Sequence, residues 1–228
     1  MKENKQLLSL EEILIDPSHT LAGDMLSKCP YPWDMLPKIG ECIKEIIKKL
    51  DKELYDDLGD DVWVAKSARI AKSALICGPA VIGENAEIRH CAYIRGNVLI
   101  GNGAVVGNSC ELKNAIVSDE VQIPHYNYVG DSILGYRSHM GAGAIASNFR
   151  LDKKQIKIGR GENSFATGLR KMGVILGDYS EVGCNSVLYP GTVIGKNCLV
   201  YPLTGVRGIV PSDTIVKSDG NMTKRKNT

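Results

Sequence analysis

Large rings are scarce in this chain: its 228 residues include 2 phenylalanines and 2 tryptophans. A core cannot be built around them, so Ile and Val must fill it, and 24 glycines point to a chain rich in turns. Neither sign of charge is in excess, the formal net charge being +2, which gives no sign of a nucleic-acid binder. The 7 cysteines are odd in number and contain no Cys-x-x-Cys pair, which argues against a disulfide framework and a zinc ribbon. No apolar run approaches the roughly 20 residues of a membrane helix. With no leader before the first structured segment, the expected compartment is the cytoplasm.

What is present is a repeat. An aliphatic residue returns every sixth position at Val64, Ile70, Ile76, Ile82, Ile88, Ile94, Ile100, Val106 and Leu112. Four residues after each anchor stands a second small apolar residue, from Ala68 and Ala74 through Cys110 to Ile116. A period of six matches neither a helix nor a plain strand, so it marks a repeating supersecondary unit. Short strands joined by tight corners, three hexads to a triangular coil, give a mainly β protein: a parallel β-helix whose coils stack about 4.8 Å apart.

The chain divides accordingly. Residues 1–60 form an N-terminal helical cap. There Ser9 and Glu12 have the spacing of a capping box for a helix ending before Pro17, and an apolar stripe from Ile39 to Leu50 marks a second helix over 34–50. That helix is expected over the open end of the β-helix, where unpaired strand edges invite aggregation. Residues 61–216 form the β-helix. Its register slips after Leu112, where the anchors become Val117, Ile123, Val129, Leu134 and Met140, and a second block runs from Leu176 to Val206. Between them an excursion at 147–173 carries Arg150, Lys153, Lys154, Lys157, Arg160, Arg170 and Lys171 against Asp152 and Glu162, a basic excess suited to an anionic ligand. The basic tail 217–228 is expected to be disordered.

Chemistry shows where the repeat is violated. Arg95 and Lys113 each follow an anchor directly, where small residues are the rule, and eighteen residues place them on adjacent rungs of one corner. Two cations this close repel unless an anion joins them. Glu111 is a candidate neutralising partner, and a phosphate or carboxylate ligand is the other. His125, two residues after Ile123 and three before Tyr128, has the chemistry of a general base, and a tyrosine hydroxyl can hold a sugar or phosphate oxygen.

The segments Tyr93-Ile94-Arg95, Gly107 to Lys113, His125 to Asp131 and Gly141 to Asn148 resemble the acetyltransferase domain of two enzyme families. These are the bifunctional glucosamine-1-phosphate acetyltransferase/N-acetylglucosamine-1-phosphate uridyltransferases and the archaeal-type sugar-1-phosphate nucleotidyltransferases. The resemblance implies the left-handed β-helix of hexapeptide-repeat proteins, a homotrimer, acetyl-CoA as co-substrate and no metal for the acyl transfer. It also implies that Arg95, Lys113 and Tyr128 hold a sugar phosphate, that Asn148 and Lys154 complete that site, that His125 is the base, and that Gly183, Cys184 and Tyr201 lie along the pantetheine arm. His139, Phe149 and Cys184 depart from the family's asparagine, tyrosine and serine, and His139 is a further candidate for the substrate site. The glycine-rich start of a nucleotidyltransferase domain is missing from this sequence, so a separate nucleotidyltransferase is a candidate partner.

The function expected from these residues is transfer of acetyl from acetyl-CoA to the amino group of an amino-sugar phosphate such as glucosamine-1-phosphate. A non-catalytic sugar-phosphate or nucleotide-sugar binding module, partnering a separate nucleotidyltransferase, is the alternative. A zinc enzyme resembling the β-helical carbonic anhydrases ranks below both, because His90, His125 and His139 lack that family's spacing.

Overall fold

Short parallel strands recur at the hexad spacing, each hydrogen-bonded to the strand one coil away. The computed structural model describes residues 15–159 and 164–226. Three ladders form the three faces of the prism. The first runs Val62–Ala65, Ala80–Ile82, Val98–Ile100 and on to Ile209–Val210. The second runs from Arg69–Ile70 through Gln122–His125 to Thr214–Val216. The third runs from Leu75–Ile76 through Tyr93–Ile94 to Gly205–Val206. Two seven-residue strands, Glu111–Val117 and Tyr128–Leu134, turn the corner from third face to first while remaining paired. The result is a left-handed parallel β-helix of hexapeptide repeats.

The anchors fill the interior: Ile82, Ile88, Ile94, Ile100, Val106 and Leu112 are buried, as are Val117 through Met140 and the second block from Leu176. Ile70 and Ile76, in the first coil, are only partly buried. One inward position differs from the expected series. The five-residue unit after Cys110 brings Ala115 into the core, and Ile116 points outward.

That outward position explains the helices. On the first face the middle residue of each strand is also apolar, giving a stacked column Val81, Leu99, Ile116, Ile133, Ile175 and Val193. A face apolar on both sides must be covered. The helical segment covers it, which corrects the expectation of a plug over the open end. A 3-10 stretch Pro32–Lys38 leads into an α-helix Ile39–Ile47 whose buried Ile39, Cys42, Ile43 and Ile46 form one stripe. These side chains share a cluster with the first-face column. Gly40 marks the close approach, since a Cβ there would stand 2.5 Å from Asn97 Oδ1. Edge protection falls to antiparallel strands instead: Tyr55–Asp57 pairs with Val62–Ala65 before the first coil, and Met222–Lys224 pairs with Thr214–Val216 after the last. The latter corrects the disordered tail, because free backbone groups of the terminal strand recruit it despite its polar sequence. The Ser9–Glu12 capping box lies outside the described residues.

The excursion also folds. It leaves after Asn148, makes a small hairpin of Lys157–Ile158 with Phe165–Ala166, and buries Ile156, Ile158 and Met172 in the helical cluster. Trp33 stacks on Tyr31 at 4.7 Å, and Phe165 packs on both rings. Loop and helical segment are thus one layer on the first face. Leu99→Ala, in the middle of that layer, is expected to lower unfolding free energy by about 3 kcal/mol, read as the denaturant midpoint. A loss under about 1 kcal/mol would mean the helices cover the face without packing on it.

Candidate acyl-transfer site

The corner between third and first faces carries Arg95, Lys113, Gly130 and Ser147 on successive rungs, fixed by the register Leu112 to Ile94 and Lys113 to Gly130. Arg95 and Lys113 therefore stack as their eighteen-residue spacing predicts. Each has a carboxylate partner: Arg95 Nη1 donates to Glu111 Oε1 at 2.6 Å, and Lys113 Nζ lies 3.4 Å from Asp131 Oδ1. Glu111 does what the neutralising reading expected of it. Phosphate, to bind here, must share these cations with the protein's own acids.

Asp131 is the hub of the corner. It is buried, and besides Lys113 it accepts Asn114 Nδ2 at 2.9 Å and Asn148 Nδ2 at 2.5 Å. Asn114 also donates to the carbonyl of Leu36, tying the helical segment to the site. Asn148 is hydrogen-bonded to the Tyr128 hydroxyl, whose acidity burial weakens, so the phenol stays protonated. Gly130 makes this geometry possible, because a Cβ there would stand 2.6 Å from both Asn148 Nδ2 and the Tyr128 hydroxyl. A cavity of about 430 Å³ opens beside the hub, walled by Asn114, Asp131, Leu36 and Pro37 and by Phe149, Arg170 and Lys171 of the excursion. Asp131 closes the Tyr128-containing motif, yet its sequence signal was only position: an acid at the second corner site, where neighbouring rungs have Gly96 and Asn114.

His125 stands on a different corner, between second and third faces, because its strand Gln122–His125 pairs with Val105–Asn108. Buried Asn127 fixes the turn: its Oδ1 accepts the His125 amide at 3.1 Å while its Nδ2 donates to the carbonyls of Gly141 and Ala144. Gly107 is required one rung below, where the Pro124 carbonyl comes too close for any Cβ. The imidazole is exposed and makes no hydrogen bond among the described residues. Gly183, Cys184 and Tyr201 occupy this same corner on later rungs, with the Cys184 carbonyl accepting the Leu203 amide. Gly183 is needed there, since a Cβ would stand 2.4 Å from Pro202 N.

The structure thus gathers Arg95, Lys113, Tyr128 and Asn148 at one corner and His125, Gly183, Cys184 and Tyr201 at another, with the third face between them. Two predicted residues join neither group. His139 sits on the second face, where its Nδ1 pairs with Glu181 Oε2 at 2.8 Å. Lys154 is exposed in the excursion, its amide donating to Asp152 and its side chain outside the Asp131 cluster. Arg150 is engaged by Asp152 through two hydrogen bonds, so part of the loop's basic excess is neutralised. Among the described residues no three His, Cys, Asp or Glu side chains are placed to hold a metal ion, and no helix is long and apolar enough to cross a membrane.

Hexads, a three-faced coil and a corner with two stacked cations define the class: a hexapeptide-repeat β-helix resembling the acetyltransferase part of bifunctional sugar-1-phosphate enzymes. The family model described as the GMPPB C-terminal domain matches residues 76–161. The bifunctional protein GlmU of Methanococcus maripaludis is 41% identical over 201 residues, covering 86% of this chain and 49% of that protein. The bifunctional sugar-1-phosphate nucleotidylyltransferase/acetyltransferase of Sulfurisphaera tokodaii is 34% identical over 94 residues, 41% of this chain and 23% of that protein. The chain therefore spans half or less of the length of these relatives. Among solved structures, a hexapeptide transferase family protein from Anaplasma phagocytophilum superposes with a TM-score of 0.49 at 18% identity, over 73% of this chain and 81% of that one.

Proposed function

We propose that the chain is an N-acetyltransferase that moves acetyl from acetyl-CoA to the amino group of an amino-sugar phosphate such as glucosamine-1-phosphate. The observation that carries this reading is the pair of corners: Arg95 and Lys113 stacked on one edge of the third face, and on the other an imidazole without a hydrogen-bond partner among the described residues. Gly130 follows His125 by five positions, at most about 17 Å of backbone. A sugar whose phosphate is held by Arg95 and Lys113, with Lys154 closing over it and Tyr128 and Asn148 on its oxygens, presents its amine toward His125. His125 takes the amine proton as nitrogen attacks the thioester carbonyl, the C–S bond breaks and CoA leaves as the thiol. The pantetheine arm follows the His125 corner past Gly183, Cys184 and Tyr201, and corner amides stabilise the oxyanion.

Support for a homotrimer comes from the third face, which exposes the paired Leu75 and Tyr93 and, further along, Val187, apolar side chains suited to a second copy. A cytoplasmic location and a separate nucleotidyltransferase partner belong to the same proposal. The departures at His139, Phe149 and Cys184 favour the second reading, a sugar-phosphate or nucleotide-sugar binding module without turnover.

Calorimetric titration with glucosamine-1-phosphate, against unphosphorylated glucosamine, tests the site directly. The phosphorylated sugar should bind at least tenfold more tightly, and Lys113→Ala should erase that difference; equal affinities would remove the phosphate assignment. Glu111→Gln takes a competing anion from Arg95, so it should tighten glucosamine-1-phosphate binding about fivefold. Weaker binding in that variant would instead make Glu111 a support for the Arg95 guanidinium.

A further inference from the structure

Two cysteines are exposed among the described residues, Cys91 and Cys184, and their surroundings differ. Cys91 Sγ lies 3.3 Å from His90 Nε2, and His90 Nδ1 lies 2.5 Å from Ser73 Oγ. Ser73 Oγ in turn accepts the Cys91 amide at 3.3 Å, and Asn108 Nδ2 donates to the His90 carbonyl at 3.0 Å. The corner geometry fixes the set: Cys91 takes the left-handed conformation (φ 57°) shared by Ser109, Tyr126 and Asn185 on later rungs. Cys184 Sγ has no hydrogen-bond partner among the described residues. None of these groups serves the acyl-transfer reading, which uses the same corner from His125 onward.

A thiol in reach of an imidazole that a third group orients is the arrangement of an activated nucleophile. We infer that Cys91, with His90 as its base and Ser73 as the group that orients His90, is a reactive thiol that undergoes exchange with low-molecular-weight disulfides. His90 Nε2 takes the thiol proton as Cys91 Sγ attacks one sulfur of the disulfide. That S–S bond breaks, a mixed disulfide forms on Cys91, and the released thiolate recovers the proton from His90. No net oxidant is needed beyond the disulfide itself. The product places an adduct on the corner two rungs before His125.

The test uses the full chain and uncharged 2-hydroxyethyl disulfide, with each cysteine followed by peptide mass mapping and Cys184 as the internal reference. Cys91 should form its mixed disulfide about tenfold faster than Cys184 at neutral pH. His90→Ala should bring Cys91 to within about twofold of Cys184, and Ser73→Ala should give a rate between the two. The Cys184 rate should not move in either variant, which separates lost base assistance from a loosened fold. Equal rates at the two cysteines, or a Cys91 rate unchanged by His90→Ala, would overturn the assignment.

Discussion

Replacing His125 with alanine leaves a folded protein that transfers acetyl at least a hundredfold more slowly. The expected size follows from what the side chain does: a positioned general base contributes about 10²- to 10⁴-fold, and no second imidazole lies on its rung to take over. Folding survives because the ring is exposed and makes no hydrogen bond among the described residues. What places it is Asn127, whose amide holds the turn from beneath, so the loss belongs to the ring and not to the corner. Steady-state rates in acceptor and in acetyl-CoA check this. The loss should fall on kcat, with the KM for the sugar phosphate changed less than about threefold, since the phosphate site proposed above lies at the opposite edge of the face. Full activity in His125→Ala would remove the base assignment.

Asp131→Ala is the second large effect, and it acts on binding and stability together. The carboxylate is buried and receives Asn114, Asn148 and Lys113. Removing it leaves two amide donors and an ammonium without their acceptor, at a cost of about 2–3 kcal/mol in unfolding free energy. Asn148 then no longer fixes the Tyr128 hydroxyl, and Asn114 is free of one of its two anchors. The KM for the sugar phosphate should rise at least tenfold, whereas the KM for acetyl-CoA, on the other corner, should stay within about twofold. Asp131→Asn keeps the shape but not the charge, so it should recover part of the stability and little of the affinity. A KM for the acceptor unchanged in both variants would show that Lys113 and Tyr128 are positioned without this hub.

The interior of the β-helix was legible because each anchor repeats the same environment, except at the five-residue unit after Leu112, where Ala115 and not Ile116 turns inward. The eighteen-residue spacing likewise put Arg95 over Lys113, and the same counting separates His125, two residues past a second-face anchor, from the corner between third and first faces. The helical segment's seat was misplaced although its signal is in the chain: Val81, Leu99, Ile116, Ile133, Ile175 and Val193 stand just before an anchor in every third hexad. Other faces have Arg69, Glu87 or Gln122 there. An apolar residue directly before the anchor marks a strand buried on both sides, and only the first face has one on every rung. The terminal hairpin at Met222–Lys224 left no such mark, since backbone pairing to a free edge asks little of side chains. Spacing offered Glu111 as a partner for the corner cations but did not reveal that Asp131 takes Lys113. Those contacts depend on rotamers and on a turn at Asp131 that periodicity does not encode.

Acceptor-dependent release of CoA thiol from acetyl-CoA is the measurement closest to the central claim. It would be made on the purified chain with glucosamine-1-phosphate, other amino-sugar phosphates and unphosphorylated glucosamine. An acyltransferase working across the third face releases thiol with a phosphorylated amino sugar, not with glucosamine at the same concentration, and His125→Ala loses the release. Absence of release with every acceptor, in a preparation that binds glucosamine-1-phosphate, would contradict the catalytic reading and leave a sugar-phosphate binding module.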